Sequence, residues 1–595
     1  MRAVAAVLVA SLAVVPAPAD PPPPTSAITV RGNTFVDGAG REVVLRGFNV
    51  SGGVKLGEHG GLPFAEAEQA RQAATEMRRL TGANAVRFLL NWAAAEPVRG
   101  QSDPDYHARL TEQLRAFLDQ GFAVITDWHQ DLVSRALFAR DSWYTGDGAP
   151  AWALAPHPHE SCGICVHWGQ NITQNSVVQQ ANADFWHNRD GVREEFLAQA
   201  GRTMEYLRTH LSAAEFAGIV GMDPWNEPYA GRYDQGQDSR SWERDLLWPF
   251  YQRFRARMDA AGWQDKPAFV EPNLFWNSTI GLVRQTGGLL DAGVPGPRYV
   301  FNSHFYDTRA QSGVLMPGKA GDGQYTADLN AVRGRAEALG TAAVLTEFGH
   351  PLTGFTSDKA PTVDKALYQA LDSTAAGSHW WAHPVGAVLS GTQWHWDTAS
   401  GRHHELMNDN PDKVITAADA WNGEDFSAVR TAEDGTVLLR QDQRLLDRLY
   451  PKAVAGHLLG FSYEDRSRDG EQALTFAPVP DSLPATKALV GEGRYGVLLW
   501  RGSTGSAPTA LHLPAGFAPQ VVSDVPWHQA GDELLLDSSP GTHWALVLDR
   551  SPAPDGAARA ELVRWVASVL SGKSQCGVQE PRRVQDSALG SPHGP

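Results

Sequence analysis

Two stretches of this sequence end an apolar run on a glutamate. In "FAGIVGMDPWNEPYAG" the acid is Glu227, between Asn226 and Pro228. In "TAAVLTEFGH" it is Glu347. Strand interiors favour β-branched and aromatic residues. An acid at the end of such a run is either a solvated loop residue or a group held on a rigid element for chemistry. One such acid carries little information. Two, each closing a strand, point to a carboxylate pair. Such a pair suits hydrolysis of a glycosidic bond. One carboxyl protonates the leaving oxygen, and the other attacks the anomeric carbon or activates water, provided their environments push the two pKa values apart. At a separation of ~5–5.5 Å the second carboxyl is the nucleophile and configuration is retained.

Other polar residues close other apolar runs. They are Arg87 in "NAVRFLLNW", His129 and Asp131 in "FAVITDWHQD", His304 and Tyr306 in "RYVFNSHFYD", and Trp394 or Trp396 in "TQWHW". Taken singly, Arg87 reads as a salt-bridge partner and His304 as a structural histidine. Independent structural roles would scatter such groups along the strands. Their gathering at strand ends predicts one shared rim.

The elements that must position this rim follow from periodicity. Apolar runs of strand length recur at 43–50, 84–92, 122–129, 218–225, 267–273, 298–307, 342–349 and 385–396. Between them lie segments with helical spacing, such as "AEQARQAATEMRRL" and "GVREEFLAQAGRTMEYLRTHL". Eight buried strands alternating with helices predict an α/β fold, a (β/α)8 TIM barrel, with the rim at the C-terminal strand ends. A doubly wound sheet is the rival, but "GFNVSGGVKLG" after the first strand lacks the GxGxxG phosphate loop. The barrel is assigned to residues 27–440. Short strands between Gly, Pro and Asp turns then predict a C-terminal β-sandwich over 441–555. An amphipathic helix over 556–571 closes the fold, and the polar tail, 572–595, is expected to be disordered.

The 595 residues suffice for a barrel and one further domain. A net charge of −16 argues against nucleic acid, and against an anionic membrane surface, as partner. The 20 tryptophans suit stacking on sugar rings or ordinary core packing equally well. The N-terminus, "MRAVAAVLVASLAVVPAPAD", has one arginine, a short apolar segment and a small-residue cleavage site. Residues 1–19 are therefore expected to be a signal peptide and the protein to be secreted. No later run reaches the ~18 apolar residues of a membrane span, so stable membrane insertion is not expected. Cys162 and Cys165 in "SCGIC" form either a small disulfide loop or two free thiols. No second cysteine pair accompanies them for zinc.

"WNEP" after the fourth strand and "TEFG" after the seventh, with "VRF", "DWH" and "HFY" at the second, third and sixth, carry a resemblance. This ordered set resembles the retaining (β/α)8 glycoside hydrolases of family 5, the cellulase-like family, over residues 27–450. The resemblance implies Glu227 as acid/base and Glu347 as nucleophile. It implies that Asn226 holds the sugar 2-hydroxyl and that Tyr306 and Arg87 orient Glu347, with His129 and His304 at matching positions. Within that family, "GFNVSGGVK", "DWHQD" and "RLYPKAVAG" are similar to endoglycoceramidases. These cleave between an intact glycan and ceramide and carry a C-terminal β-sandwich. The narrower likeness implies Lys55, Asp131 and Trp394 as glycan contacts, with Trp396 left open as the alternative.

The expected partner is then a glycolipid or another glycoside, with transient contact to lipid aggregates. No metal and no organic cofactor is required. The alternatives are a steryl glucoside, a flavonoid diglycoside or a plain β-glucan as substrate. In a different class stands a noncatalytic carbohydrate- or lipid-binding protein, which would normally have lost one glutamate.

A long insertion over 131–185 contains Leu137, Phe138, Trp143, Tyr144, Trp152 and Trp168 among Gly and Pro. It is either a surface loop with its own small core or an apolar wall that grips a hydrophobic aglycone. His157, His159 and His167 lack metal-ligand spacing and partnering carboxylates. His403 and His404 are expected to be solvated.

Overall fold

The computed structural model describes residues 27–157, 162, 165, 168–372, 388–419, 424–467, 477, 479–505, 507–550 and 553–574. The expected signal peptide, His159, His167 and the tail beyond 574 lie outside the described residues.

Eight strands close into a barrel. They are β1 (Arg46–Val50), β2 (Ala85–Asn91), β3 (Ala123–His129), β4 (Ile219–Asp223), β5 (Ala268–Val270), β6 (Tyr299–Phe305), β7 (Ala342–Phe348) and β8 (Ser390–Trp396). Every neighbouring pair is parallel. Parallel strands covered by helices bury both faces. That is why the runs read as continuous apolar segments, and along all eight strands only His304 is not fully buried. The covering helices include α1 (Ala67–Thr81), α2 (Pro104–Leu118), α3 (Val192–His210) and α4 (Trp248–Ala260). Helix α1 buries Ala70, Ala73, Ala74 and Met77, the stripe that a 3.6-residue repeat places on one face. Helix α2 starts where Asp103 accepts from the Asp105 and Tyr106 N–H groups at 2.8 and 2.9 Å. Pro104 fills its first position, where no N–H is needed.

The C-terminal region stacks two antiparallel sheets. Leu498 and Trp500 of Tyr495–Gly502 share a buried core with Tyr450, Leu511 and Leu534 of the facing sheet. The alternate residues, Tyr495 and Val497, face the closing helix Gly556–Ser574 at Leu562, Trp565 and Val566. A strand that buries both faces this way makes three layers: sheet, sheet and helix.

The segment before the barrel, grouped with it in the sequence reading, pairs elsewhere. Thr29–Arg31, Thr34–Val36 and Glu42–Val43 extend the seven-stranded sheet of the C-terminal region. The junction is the pairing of Val43 with Ala453. The same hairpin floors the barrel, since Phe35 and Val43 pack with Ile125, Phe269 and Val344. Apolar area explains the arrangement: one hairpin covers the open base of the barrel and the edge of the sheet together. Among the described residues no helix is long and apolar enough to cross a membrane.

Candidate active site

Glu227 follows β4 with a left-handed backbone, φ 46°. A non-glycine residue held there costs of order 1–3 kcal/mol and persists only where its surroundings over-determine it. Here they do. The Asn226 N–H donates to the Trp128 carbonyl at 3.0 Å. Gln130 Nε2 donates to the Asn226 carbonyl at 2.7 Å, and Asn226 Nδ2 donates to the Gln130 carbonyl at 3.1 Å. Across the barrel Glu347 lies opposite His304, after a register irregularity that follows Leu345. Such irregularities re-aim side chains next to active sites.

The two carboxylates stand in unlike surroundings. Glu347 accepts from Arg87 Nη1 at 2.6 Å and from the Tyr306 hydroxyl at 2.9 Å. Among the described residues Glu227 has His304 Nδ1 alone as a side-chain hydrogen-bond partner, at 2.9 Å. Burial first, and the nearby Asp131 second, push Glu227 up to about 7. Burial holds His304 down to about 3, so its imidazole is neutral. One oxygen from each glutamate and a ring nitrogen of His304 lie within 4.8 Å of one another.

Arg87 is fully buried at the centre of this floor. Besides Glu347 it reaches Asp127 and Asp223 at 2.9 Å each and donates to Asn226 Oδ1 at 2.9 Å. Glu271, at the end of β5, stands 3.6 Å away. The residues that carried the motif reading therefore converge.

Lys55, His129, Asp131 and Trp394 form the neighbouring wall. Lys55 Nζ is 2.7 Å from Asp131 and lies 4.3 Å over the Trp394 ring. Burial pulls the Lys55 ammonium down, but Asp131 and Asp419 outweigh it and hold it well above its ordinary range. Burial likewise opposes the charge on His129, yet Asp127 and Asp131 win and hold it up to about 10. The His129 ring stacks on Trp394 with centroids 5.5 Å apart. Trp394 Nε1 donates to Asp419 at 3.0 Å. Trp396 is instead a barrel core residue against Phe48, so of the two it is Trp394 that faces this wall.

Several groups here were not read from the sequence. Asp127 and Asp223 lie on the motif strands themselves, in "TDWH" and "GMDPW", and were legible by position. Asp147 comes from the insertion and accepts from the Asp131 N–H at 2.6 Å. Asp419 and Glu424 come from the loop after β8, and burial with Asp419 beside it lifts Glu424 to about 8. No local pattern announced these three.

Two expectations need comment. His403 is not solvated: it is buried between Glu58 at 2.6 Å and Asp397 at 2.9 Å, and ties the loop after β8 to the loop after β1. Cys162 and Cys165 are disulfide-bonded. In the insertion, Leu137, Phe138 and Tyr144 are buried, and Trp152 packs edge-on against Trp92 while donating to the Glu96 carbonyl at 2.9 Å. These residues dock the loop onto the barrel core and do not form a separate core. Trp143 alone among them is 74% exposed, with Lys413 over its ring.

Known proteins resemble this chain in sequence and in fold. Over 391 residues the chain is 26% identical to endoglycoceramidase I of Rhodococcus hoagii (strain 103S), covering 62% of this chain and 70% of that protein. The fold matches endo-glycoceramidase II from Rhodococcus sp., solved as a ganglioside GM3 complex, with a TM-score of 0.59 at 21% identity, covering 88% of this chain and 100% of that one. It also matches Cryptococcus neoformans sterylglucosidase 1, with a TM-score of 0.61 at 13% identity over 89% of this chain and 100% of that one. Residues 36–384 match the family described as "Cellulase (glycosyl hydrolase family 5)". The chain is a glycoside hydrolase and belongs to glycosyl hydrolase family 5.

Proposed function

We propose that this hydrolase is a retaining β-glycosidase that releases the glycan from a glycolipid. One observation carries the mechanism: an oxygen of Glu227 lies within 4.8 Å of one of Glu347. That fits the ~5–5.5 Å of retaining pairs and not the ~6.5–9.5 Å that leaves room for an inverting water. Glu347, held by two donors, attacks the anomeric carbon as the bond to the aglycone oxygen breaks. Glu227, still protonated near neutral pH, gives its proton to that oxygen. Water then attacks the same carbon, Glu227 takes its proton, and Glu347 is released. Asn226 Nδ2 keeps one hydrogen for the sugar 2-hydroxyl, because its other partner is the Gln130 carbonyl. Lys55, Asp131 and Trp394 supply a cation, an anion and an aromatic face for the glycone.

The glycolipid reading is supported by the names of the similar proteins. It is also supported by the loops after β5, β6 and β7, which expose Leu282, Val314 and Phe355 by 99%, 81% and 82%. The apolar N-terminal segment supports secretion as part of the same reading. The test is a panel of glucosyl-, galactosyl- and lactosyl-ceramide, a steryl glucoside and cellotetraose, with products separated by thin-layer chromatography. Release of ceramide is expected. Turnover of cellotetraose or the steryl glucoside alone would replace the glycolipid assignment.

A further inference from the structure

His304 touches Glu227 through Nδ1 and the β7 strand through Nε2. Which nitrogen carries the proton decides what that contact does. A chain of hydrogen bonds settles it. Asp223 Oδ2 accepts from Arg87 Nη2 at 2.9 Å and Asp223 also takes a hydrogen bond from the Glu271 carboxyl, so it faces its other neighbour, Asn302, as an acceptor. The Asn302 amide nitrogen must then point at it, and does so at 2.7 Å. The opposite flip would set two oxygens against each other. Asn302 therefore turns its carbonyl oxygen toward Thr346, and the Thr346 hydroxyl donates to it. With its only proton committed, Thr346 Oγ1 can only accept from His304 Nε2, which lies 3.1 Å away. The second neighbour of Nε2, Glu271 Oε1 at 3.3 Å, is also an acceptor, because the Glu271 carboxyl directs its proton at Asp223 from its other oxygen.

We infer that Asn302 and Thr346 are positioning residues that lock His304 in its Nε2–H tautomer, so that Nδ1 is an acceptor and holds Glu227 in its protonated, acid form. The inference rests on Glu227 being the acid/base. An unprotonated Nδ1 at 2.9 Å forms a hydrogen bond with Glu227 only while Glu227 keeps its proton. Glu347 stands 3.4 Å from the same nitrogen and is held as an acceptor by Arg87 and Tyr306, so it has no proton to give Nδ1. The resting site thus stores one proton on Glu227 and none on Glu347. After the first half-reaction the Glu227 carboxylate faces a lone pair, which strengthens it as the base for water. The other charged groups that bear on Glu227 and His304 are Asp131, Lys55 and His129 on the glycone side and Arg87, Asp127, Glu271 and Glu347 on the floor. None of them donates to Nδ1.

The test compares Thr346→Val, which keeps the shape and removes the hydroxyl, with Thr346→Ser, which restores it. In Thr346→Val the alkaline limb of the kcat/KM profile is expected to move down by about one pH unit. Hydrolysis of a substrate with a poor leaving group should fall about tenfold more than that of a nitrophenyl glycoside, which needs no proton. Thr346→Ser should recover both. Equal losses on both substrates with an unmoved limb would overturn the inference and leave Thr346 a packing residue. If Thr346→Val does not fold, nitrogen-15 NMR of the wild-type histidines, with His304 assigned through a His304→Gln variant, decides alone. A neutral ring protonated at Nε2 supports the lock, and one protonated at Nδ1 overturns it. Failure of the acid/base reading itself would show separately, as an absence of leaving-group dependence in Glu227→Ala.

Discussion

The two ends of the barrel each bury a network of charge, and they do so differently. At the N-terminal end Arg46 reaches Asp372 at 2.9 Å, and Arg448 joins Asp372 at 2.6 Å to Asp465 at 2.5 Å. Cations and carboxylates are matched there. Burial opposes the Arg448 charge, but Asp372 and Asp465 outweigh it and hold the guanidinium well up. At the C-terminal end Arg87, Lys55 and His129 face Asp127, Asp131, Asp147, Asp223, Glu227, Glu271 and Glu347. Carboxyls exceed cations, so they cannot all be ionised in a dry site. Burial and mutual repulsion lift Asp147, Asp223 and Glu227 each to about 7, and Glu271 well above its ordinary range. A matched network fixes a junction. An unmatched one holds protons where they can be moved.

The comparison breaks most severely at Glu347. Glu347→Gln should lower turnover by at least ~10³ and leave the fold intact, as removal of a covalent catalyst does. Near-normal activity in a purified sample would end the assignment. The matched end should respond in the opposite sense. Arg448→Ala leaves Asp372 and Asp465 short of a partner in a dry junction and should cost about 3–5 kcal/mol of stability. Read as a fall in apparent Tm, that loss should come with kcat per folded molecule unchanged. A drop in kcat at unchanged Tm would mean that the junction acts on the chemistry.

A smaller effect concerns pH. Glu227 must be protonated in the free enzyme and stands at about 7. The kcat/KM profile on a glycosylceramide, whose leaving group needs the proton, should therefore fall as pH rises through about 7, and Glu227→Ala should lose that limb in its residual activity on the same substrate. An alkaline limb that survives the substitution would belong to another group. The smallest effect is expected in the insertion. Trp143 is exposed while its aromatic neighbours are packed, so Trp143→Ser should leave Tm unchanged. It should reduce kcat/KM on a glycosylceramide by only a few-fold, within ~1 kcal/mol, and spare the nitrophenyl glycoside. Equal losses on both substrates would return Trp143 to a structural role.

Much of this was legible in the sequence because barrel strands deliver their functional residues at their own ends. His129, Glu227, His304, Tyr306 and Glu347 each lie at or near the end of an apolar run, and the run announces the position. Arg87, expected at a strand end, lies third in its seven-residue strand and reaches the site through its long side chain. Trp394 and Trp396 show the limit of that logic. Alternation would give both the same face, but the pairing of β8 with β1 slips between Gln393 and Trp396, so one lines the site and the other enters the core. Asp147 and Asp419 were illegible for another reason. They lie in irregular loops, and only tertiary folding brings them to Asp131 and Lys55. The pairing of Val43 with Ala453 was hidden likewise, since no local pattern records a partner so far along the chain. His403 was misread because a histidine pair in a polar loop gives no sign of the Glu58 and Asp397 that bury it.

The central claim is that Glu347 forms a covalent bond to the sugar while Glu227 supplies the proton. It is tested most directly by incubating the enzyme with an activated 2-deoxy-2-fluoro β-glycoside, which slows the second half-reaction, and sequencing the labelled peptide by mass spectrometry. The account predicts a single fluoroglycosyl group on Glu347 and none in Glu347→Gln. A label on another residue, or turnover with inversion and no label at all, would contradict it.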